Sequence, residues 1–258
     1  MTKFSSFLFM LLLMLASFTA HAQEYPRGDA NQDGAVNISD VTCLIDYLLK
    51  GSWSDDPVTP PDNHEWVDLG LPSGTLWATC NVGASSPEEY GDYFAWGETE
   101  PKEVYHCSTY KWCNGSYDTL TKYCTDSSNG TVDNKTELDP EDDAAYVNWG
   151  VNWRMPSYDQ LNELKTECTW TWTIQNGETG RLVTGPNGNT LFFPAAGYRW
   201  NNSLYDAGSG GYYWSRTLHS NYPYFAYYLC FYSNNWGNWD GDYRDNGRAV
   251  RAVRVPQN

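Results

Sequence analysis

The stretch from Asp29 to Asp40 carries oxygen-bearing groups at a spacing that suits a calcium ion. A twelve-residue calcium loop uses side-chain oxygens at positions 1, 3, 5, 9 and 12 and a backbone carbonyl at position 7. Gly34 stands at position 6, where such a loop turns sharply. The spacing therefore predicts one Ca²⁺ site, against the alternative of a polar surface turn. Its ligands are predicted to be Asp29, Asn31, Asp33, the Ala35 carbonyl, Asn37 and Asp40.

A single helix is predicted directly after this loop. Val41, Leu44, Ile45 and Leu48 recur at i, i+3, i+4 and i+7, which is the apolar spacing of an amphipathic helix. The residues before the loop lack that periodicity, and they include Pro26. The pattern thus predicts a small loop-helix module.

Residues 27–50 resemble one dockerin repeat, with the likeness carried by Gly28 to Leu49 and by Asp40 at position 12. Dockerins bind calcium and dock onto cohesin domains. The resemblance therefore implies Ca²⁺ as cofactor and a cohesin-like partner. A dockerin normally has two such repeats and this chain shows one, so docking to another protein is left open.

The start of the chain has the pattern of an export signal. Lys3 precedes a continuous apolar run at 7–15, and Ala20-His21-Ala22 fits a signal peptidase site. Residues 1–22 are thus predicted to be a signal peptide, and the mature protein to be secreted, periplasmic or associated with the cell surface. Residues 51–63 contain three prolines and are predicted to be a linker. Residues 64–256 are predicted to form one domain.

Net charge and hydropathy exclude two classes of interaction. The formal net charge of −16 excludes nucleic acid as an expected partner, because the phosphate backbone would be repelled. No stretch after the signal is long and apolar enough to predict a transmembrane helix.

Seven cysteines are present, so at least one is free or pairs between chains. Cys107, Cys113 and Cys124 lie close together in polar sequence, where one local disulfide is compatible with export.

The large domain is predicted to be mostly strands and turns. A helix is predicted after Pro156, with Ser157 and Gln160 as a capping box, and a shorter one over 140–148. Residues 104–138 are polar and rich in turn residues, which predicts an irregular insertion. Core tryptophans are expected at 66, 77, 96, 149 and 153. Strands are predicted at 66–71, 75–82, 181–184, 190–193, 212–216, 224–232 and 248–255.

Four runs in this domain carry a family resemblance, namely residues 64–83, 90–98, 193–198 and 211–215. They are similar to the Fibrobacter succinogenes major paralogous domain. The likeness extends over nearly all of residues 64–256. The family is common on exported proteins of Bacteroidetes and Fibrobacter, and it implies no particular activity.

A second, more distant resemblance concerns residues 142–150, 153–164 and 247–254. These look like parts of the sulfatase-modifying, formylglycine-generating fold, which is a variant of the C-type lectin fold. The resemblance implies an α+β domain with antiparallel sheets, two helices and long loops.

The residues that catalysis would need are not at the expected places. The formylglycine-generating oxidases use a close cysteine pair near their C-terminal end, whereas Cys230 has no cysteine a few residues away. His64, His106 and His219 lie in no nucleophile motif. The acidic run at 141–143 fits a helix N-terminus better than a catalytic carboxylate pair. The sequence therefore predicts no catalytic residues.

Aromatic residues in polar, turn-like sequence are the remaining candidates for binding. Trp200, Tyr205, Trp236 and Trp239 are flanked by Asn and Asp, and such rings suit a sugar or a protein partner. The alternative is that they fold back on their own domain. The resulting prediction is an exported, non-catalytic binding or adhesion protein whose ligand is a glycan or a protein. The alternatives are an enzyme of the formylglycine-generating type and a structural surface protein that docks through its N-terminal module.

Overall fold

Short strands make up most of the regular structure in the computed structural model, which describes residues 64–235 and 241–254. Two helices accompany them, α1 (Ala144–Trp149) and α2 (Tyr158–Glu167), with 3-10 turns at Cys107–Thr109 and Pro140–Asp142. The strands are β1 (Trp66–Asp68), β2 (Leu76–Ala78), β3 (Trp153–Arg154), β4 (Thr169–Gln175), β5 (Glu178–Thr184), β6 (Thr190–Pro194), β7 (Tyr198–Trp200), β8 (Ser203–Tyr205), β9 (Gly210–Leu218), β10 (Phe225–Tyr232), β11 (Asp242–Tyr243), β12 (Gly247–Arg248) and β13 (Val253–Arg254).

These strands form four antiparallel sheets within the described part of the chain. Their strand orders are β1-β2-β13-β3, β11-β10-β9, β12-β7-β8 and β4-β5-β6. The pairings join strands from distant parts of the sequence, such as β2 with β13. The predicted α+β class with antiparallel sheets and two helices is therefore confirmed at that level.

The two helices begin at the residues that can satisfy their free backbone N–H groups. Ser157 caps α2, and its capping box with Gln160 is formed as predicted. Asp143 caps α1, and its carboxylate accepts from the N–H groups of Ala145 and Tyr146. The short helix predicted over 140–148 is thus a 3-10 turn followed by α1.

Strand β4 was not among the predicted strands, whereas the strand predicted at 181–184 is the second half of its hairpin partner β5. Thr169–Gln175 alternates threonine with larger side chains, which suits a strand with one covered face. Asn176 and Gly177 have φ values of 48° and 96°, so both adopt the left-handed conformation that a two-residue hairpin turn requires.

The last described segment lies inside the domain. The strand predicted at 248–255 is instead two short strands, β12 and β13, with buried residues between them. Val250 O accepts from Val82 N at 2.9 Å, and Ala252 O accepts from Ala78 N at 3.0 Å. These two bonds attach the segment between β12 and β13 to residues 78–82, near the start of the described domain.

Four of the five expected core tryptophans lie in or against the core. Trp77, Trp96 and Trp153 are fully buried, and Trp149 is partly buried against them. Trp66 contradicts the prediction, because its side chain is 46% exposed on the edge strand β1. The burial pattern of β1 explains this, since Trp66 and Asp68 lie on the face of the strand that stays in water.

The insertion at 104–138 is irregular, as predicted, and yet it has a small core of its own. Apart from one 3-10 turn, it contains isolated bridges rather than strands. Its packing partners include Tyr93 and Ala95 from the preceding segment. The buried residues that the insertion contributes are Tyr105, Cys107, Tyr110, Cys113, Leu120 and Cys124.

Candidate ligand-binding surface

The β7–β8 hairpin carries two of the predicted binding residues. Trp200 is 47% exposed and Tyr205 is 38% exposed. The sequence around Trp200 and Tyr205, expected to be turn-like, is a regular hairpin instead, because Tyr198 to Trp200 pair with Ser203 to Tyr205. Asn201, with φ 53°, allows the tight turn between them.

Three aromatic rings share one side of this hairpin. Tyr198 and Trp200 are two residues apart on β7, and Tyr198 is paired with Tyr205 on β8, so the three side chains point the same way. The Tyr198 and Tyr205 rings stack with centroids 5.5 Å apart, and the Trp200 and Tyr205 centroids are 6.1 Å apart. We call Tyr198, Trp200 and Tyr205 the aromatic face.

The hairpin is held close to the domain by a glycine that no other residue can replace. Gly197 has φ +67°, and a Cβ there would lie 2.1 Å from Tyr205 O. Its N–H donates to Gly210 O at 2.8 Å. On the other side of the hairpin, the Arg199 guanidinium lies 5.1 Å from the centre of the Tyr93 ring. The β7–β8 hairpin that carries the aromatic face is therefore fixed to the rest of the domain.

A buried arginine supports the aromatic face from below. Arg248 is 1% exposed and lies over the ring of Tyr228 at 3.7 Å from its centroid, with Tyr198 at 5.7 Å. Ring faces carry partial negative charge and stabilise a cation that has lost its water. Asp242 accepts a hydrogen bond from Arg248 Nη2. With the rings of Tyr212 and Trp214, four π faces and one carboxylate face this cation, so we read Arg248 as structural.

The other two predicted residues, Trp236 and Trp239, lie outside the described residues. The segments that flank them are described on both sides. Asn235 O accepts from the backbone N–H of Tyr232, and Asp242 contacts Arg248, which lies over Tyr198. Asp242, on the C-terminal side of the two tryptophans, is therefore linked through Arg248 to Tyr198 of the aromatic face.

A second aromatic surface was missed by the sequence reasoning. The rings of Tyr117 and Tyr243 stack at 4.5 Å, Tyr224 lies 6.1 Å from each, and Tyr222 is 5.7 Å from Tyr224. Tyr222 and Tyr243 are exposed, and the other two are partly exposed. We call these four residues the tyrosine surface. Its sequence signal is Tyr222-Pro-Tyr224 after polar residues, of which only Tyr224 lies in a predicted strand.

The tyrosine surface stands on a buried carboxylate. Tyr117 Oη donates to Asp245 Oδ1 at 3.0 Å, and Asp245 is 1% exposed. Burial raises the pKa of Asp245, while the bond from Tyr117 acts in the opposite direction. Burial, together with Asp245, raises the pKa of Tyr117. This bond therefore fixes the orientation of the Tyr117 ring.

An acidic cluster in the described residues has the composition of a metal site, but a lysine occupies its centre. Asp139, Glu141 and Asp142 bring carboxylate oxygens within 4.8 Å of one another. Lys122 Nζ lies 2.6 Å from Asp139, 2.6 Å from Asp142 and 3.7 Å from Glu141. Burial acts to lower the pKa of Lys122, and the two close carboxylates outweigh it and raise that pKa. The Lys122 ammonium group therefore neutralises carboxylate charge in the position that a metal ion would take.

An open cleft of about 630 Å³ lies between the loop after Ala84 and the tip of the β4–β5 hairpin. Gln175 and Asn176 donate to Glu88, and Tyr90 Oη donates to Glu178 at 2.9 Å. Burial raises the pKa of Tyr90 to about 12. The polar groups of the cleft thus bond mainly to one another, and they tie the loop to the hairpin. The lining residues are Ser86, Glu88, Glu89, Tyr90, Gly91, Asn176 and Glu178.

The side chains considered for catalysis lie in structural surroundings. Cys230 is buried in β10, and burial raises the pKa of its thiol to about 11. His106 caps the 3-10 turn at Cys107–Thr109, and His219 is buried against the rings of Tyr222 and Tyr227. Arg154 pairs with Asp143 at 3.0 Å, which is a structural role.

The predicted calcium ligands Asp29, Asn31, Asp33, Ala35, Asn37 and Asp40 lie outside the described residues. Across the described ranges, no helix has the length and apolar character needed to cross a membrane. No protein-family model, curated protein or solved structure matches this chain.

Proposed function

We propose that the chain is an exported, non-catalytic binding protein whose large domain binds a carbohydrate on the aromatic face. In this proposal the N-terminal module at residues 27–50 binds one Ca²⁺ and remains a separate, dockerin-like unit. The large domain is proposed to be of the Fibrobacter major paralogous type, with the C-type-lectin-like variant of the α+β fold. Sequence motifs support the family, and the antiparallel sheets with two helices are compatible with the fold.

The observation that carries the proposal is the aromatic face of the β7–β8 hairpin. A sugar ring has an apolar face of C–H groups and an edge of hydroxyls. Trp200 and Tyr205 offer ring faces that are about half exposed. Large rings gain much by burial, with about 150–250 Å² available to each. A flat ligand that covers both rings therefore gains contact area while the hairpin stays in place.

Short polar side chains lie next to these rings along the chain. Asn202, Ser203 and Asp206 are exposed on and directly after the same hairpin. Amide, hydroxyl and carboxylate groups can donate to or accept from sugar hydroxyls. This combination of ring faces and short polar side chains favours a carbohydrate over a purely apolar ligand.

A protein ligand is the competing occupant, because exposed Trp and Tyr are also typical of protein hot spots. Binding to a glycan array by the mature chain separates the two. We expect oligosaccharide hits whose binding is lost in a Trp200→Ala/Tyr205→Ala variant. Trp66→Ala is the matched control, since Trp66 is 46% exposed on β1 in another sheet. An absence of glycan hits, or hits that survive the double variant, would contradict the proposal.

A further inference from the structure

Two cysteine side chains of the insertion face each other in a buried position. The Sγ atoms of Cys107 and Cys113 are 3.1 Å apart, and the two residues are 5% and 7% exposed. A disulfide bond is about 2.05 Å long, so the two sulfurs need to approach by only about 1 Å. We propose that Cys107 and Cys113 form a disulfide bond in the exported protein.

The backbone between the two cysteines already has the shape of a closed loop. Tyr110 N donates to Cys107 O, and Cys113 N donates to Tyr110 O, both at 3.3 Å. Tyr110 is itself fixed, because its hydroxyl donates to Trp96 O at 2.6 Å. The two sulfurs are therefore kept together by bonds that do not depend on the sulfurs themselves.

The other cysteine of the insertion has a different environment. The Cys124 thiol donates to Asp126 O at 3.1 Å, and Cys124 N donates to the Asp133 carboxylate. Cys124 thus belongs to a separate turn. Of the pairings that the sequence leaves open among the three cysteines, the geometry supports the one between Cys107 and Cys113.

The reaction is a thiol–disulfide exchange with an external disulfide as oxidant. Two protein S–H bonds and the oxidant's S–S bond break, one protein S–S bond forms, and the oxidant leaves as two thiols that carry the two protons and two electrons. Burial and the neighbouring Cys113 raise the pKa of Cys107 to about 12. Since thiolate is the attacking species, this raised pKa slows exchange once the pair is buried.

Trypsin provides a direct test, because Lys111 lies between the two cysteines. The peptides 103–111 and 112–122 each contain one cysteine. The full mature chain, refolded with oxidised and reduced glutathione, is alkylated in denaturant without reduction and digested. We expect these two peptides as one linked species that separates on reduction. Both peptides alkylated before reduction, or either one linked to the peptide 123–135 that holds Cys124, would overturn the proposal.

Thermal melting with and without dithiothreitol gives an independent readout. A disulfide that closes so short a loop raises the melting temperature by about 5–10 °C in a domain of this size. The reductant should therefore lower the melting temperature of the wild type and of the control Cys168→Ser. The Cys107→Ser/Cys113→Ser variant should not respond. An equal response of the double variant would contradict the proposal.

Discussion

Replacing Asp143 by alanine tests how the acidic run at 141–143 is used. Asp143 is fully buried, and its carboxylate accepts from the backbone N–H groups of Ala145, Tyr146 and Met155. It also accepts from Arg154 Nε at 3.0 Å. One side chain therefore caps α1 and fixes the start of the following segment, and Asp143→Ala removes both functions.

The size of the effect follows from these bonds. Loss of the cap costs about 1–2 kcal/mol, and a buried Met155 N–H left without an acceptor costs about 1–3 kcal/mol. The ion pair with Arg154 contributes less to the free energy of unfolding than a fully buried pair would, because Arg154 is 23% exposed and also donates to Leu138 O. We expect Asp143→Ala to lower the free energy of unfolding by about 2–5 kcal/mol in total, since the terms share one side chain and do not add fully.

Urea unfolding followed by tryptophan fluorescence measures this difference. Asp143→Asn keeps one acceptor oxygen and should lower the free energy of unfolding by about half as much as Asp143→Ala. Asp159→Ala is the matched control: Asp159 is an exposed acidic residue in the first turn of α2, and its loss should cost less than about 0.5 kcal/mol. If Asp143→Ala costs less than about 1 kcal/mol, the cap and the ion pair do not have the role assigned to them.

Three further predictions concern other parts of the chain. Calorimetry should detect one Ca²⁺ bound by the mature protein, and equal heats from an Asp29→Ala/Asp33→Ala variant would contradict the predicted loop. A fragment that begins near Pro61 should be soluble and melt cooperatively, and failure of either would show that the boundary is wrong. Bonds from Gln175 lower the pKa of Glu88. The carboxylate therefore contributes stability above its unfolded pKa and loses it as pH falls. The melting difference between wild type and Glu88→Gln should shrink from about pH 6 to about pH 3, and a constant difference would refute this.

The parts of the fold that the sequence predicted well are those with local signals. The capping box of Ser157 and Gln160 depends on residues three apart, and it forms as expected. The hairpin β4–β5 also had a local signal in Asn176-Gly177, and that signal was overlooked. The division of the last segment into β12 and β13 depends on pairing with β7 and β2, and residues so far away leave no local trace.

The candidate site was predictable in its residue types and less so in its arrangement. Asn and Asp around Trp200 and Tyr205 indicated exposed aromatic residues, and the two rings are exposed. The same polar residues indicate turn-like sequence, whereas Asn201 makes the turn of a regular hairpin. The tyrosine surface was missed because Tyr117 and Tyr243 are far apart in sequence and meet only in the fold.

The affinity of the mature chain for an oligosaccharide from the glycan screen, measured by calorimetry for wild type and Trp200→Ala, tests carbohydrate binding most directly. A truncated aromatic hot spot costs at least about 1.4 kcal/mol, which corresponds to about a tenfold loss of affinity. We predict a loss of that size or larger for Trp200→Ala, with Trp66→Ala unchanged and the melting temperatures of all three within about 2 °C, as expected for surface substitutions. Equal affinity of wild type and Trp200→Ala, or a loss shared by Trp66→Ala, would contradict binding at the aromatic face.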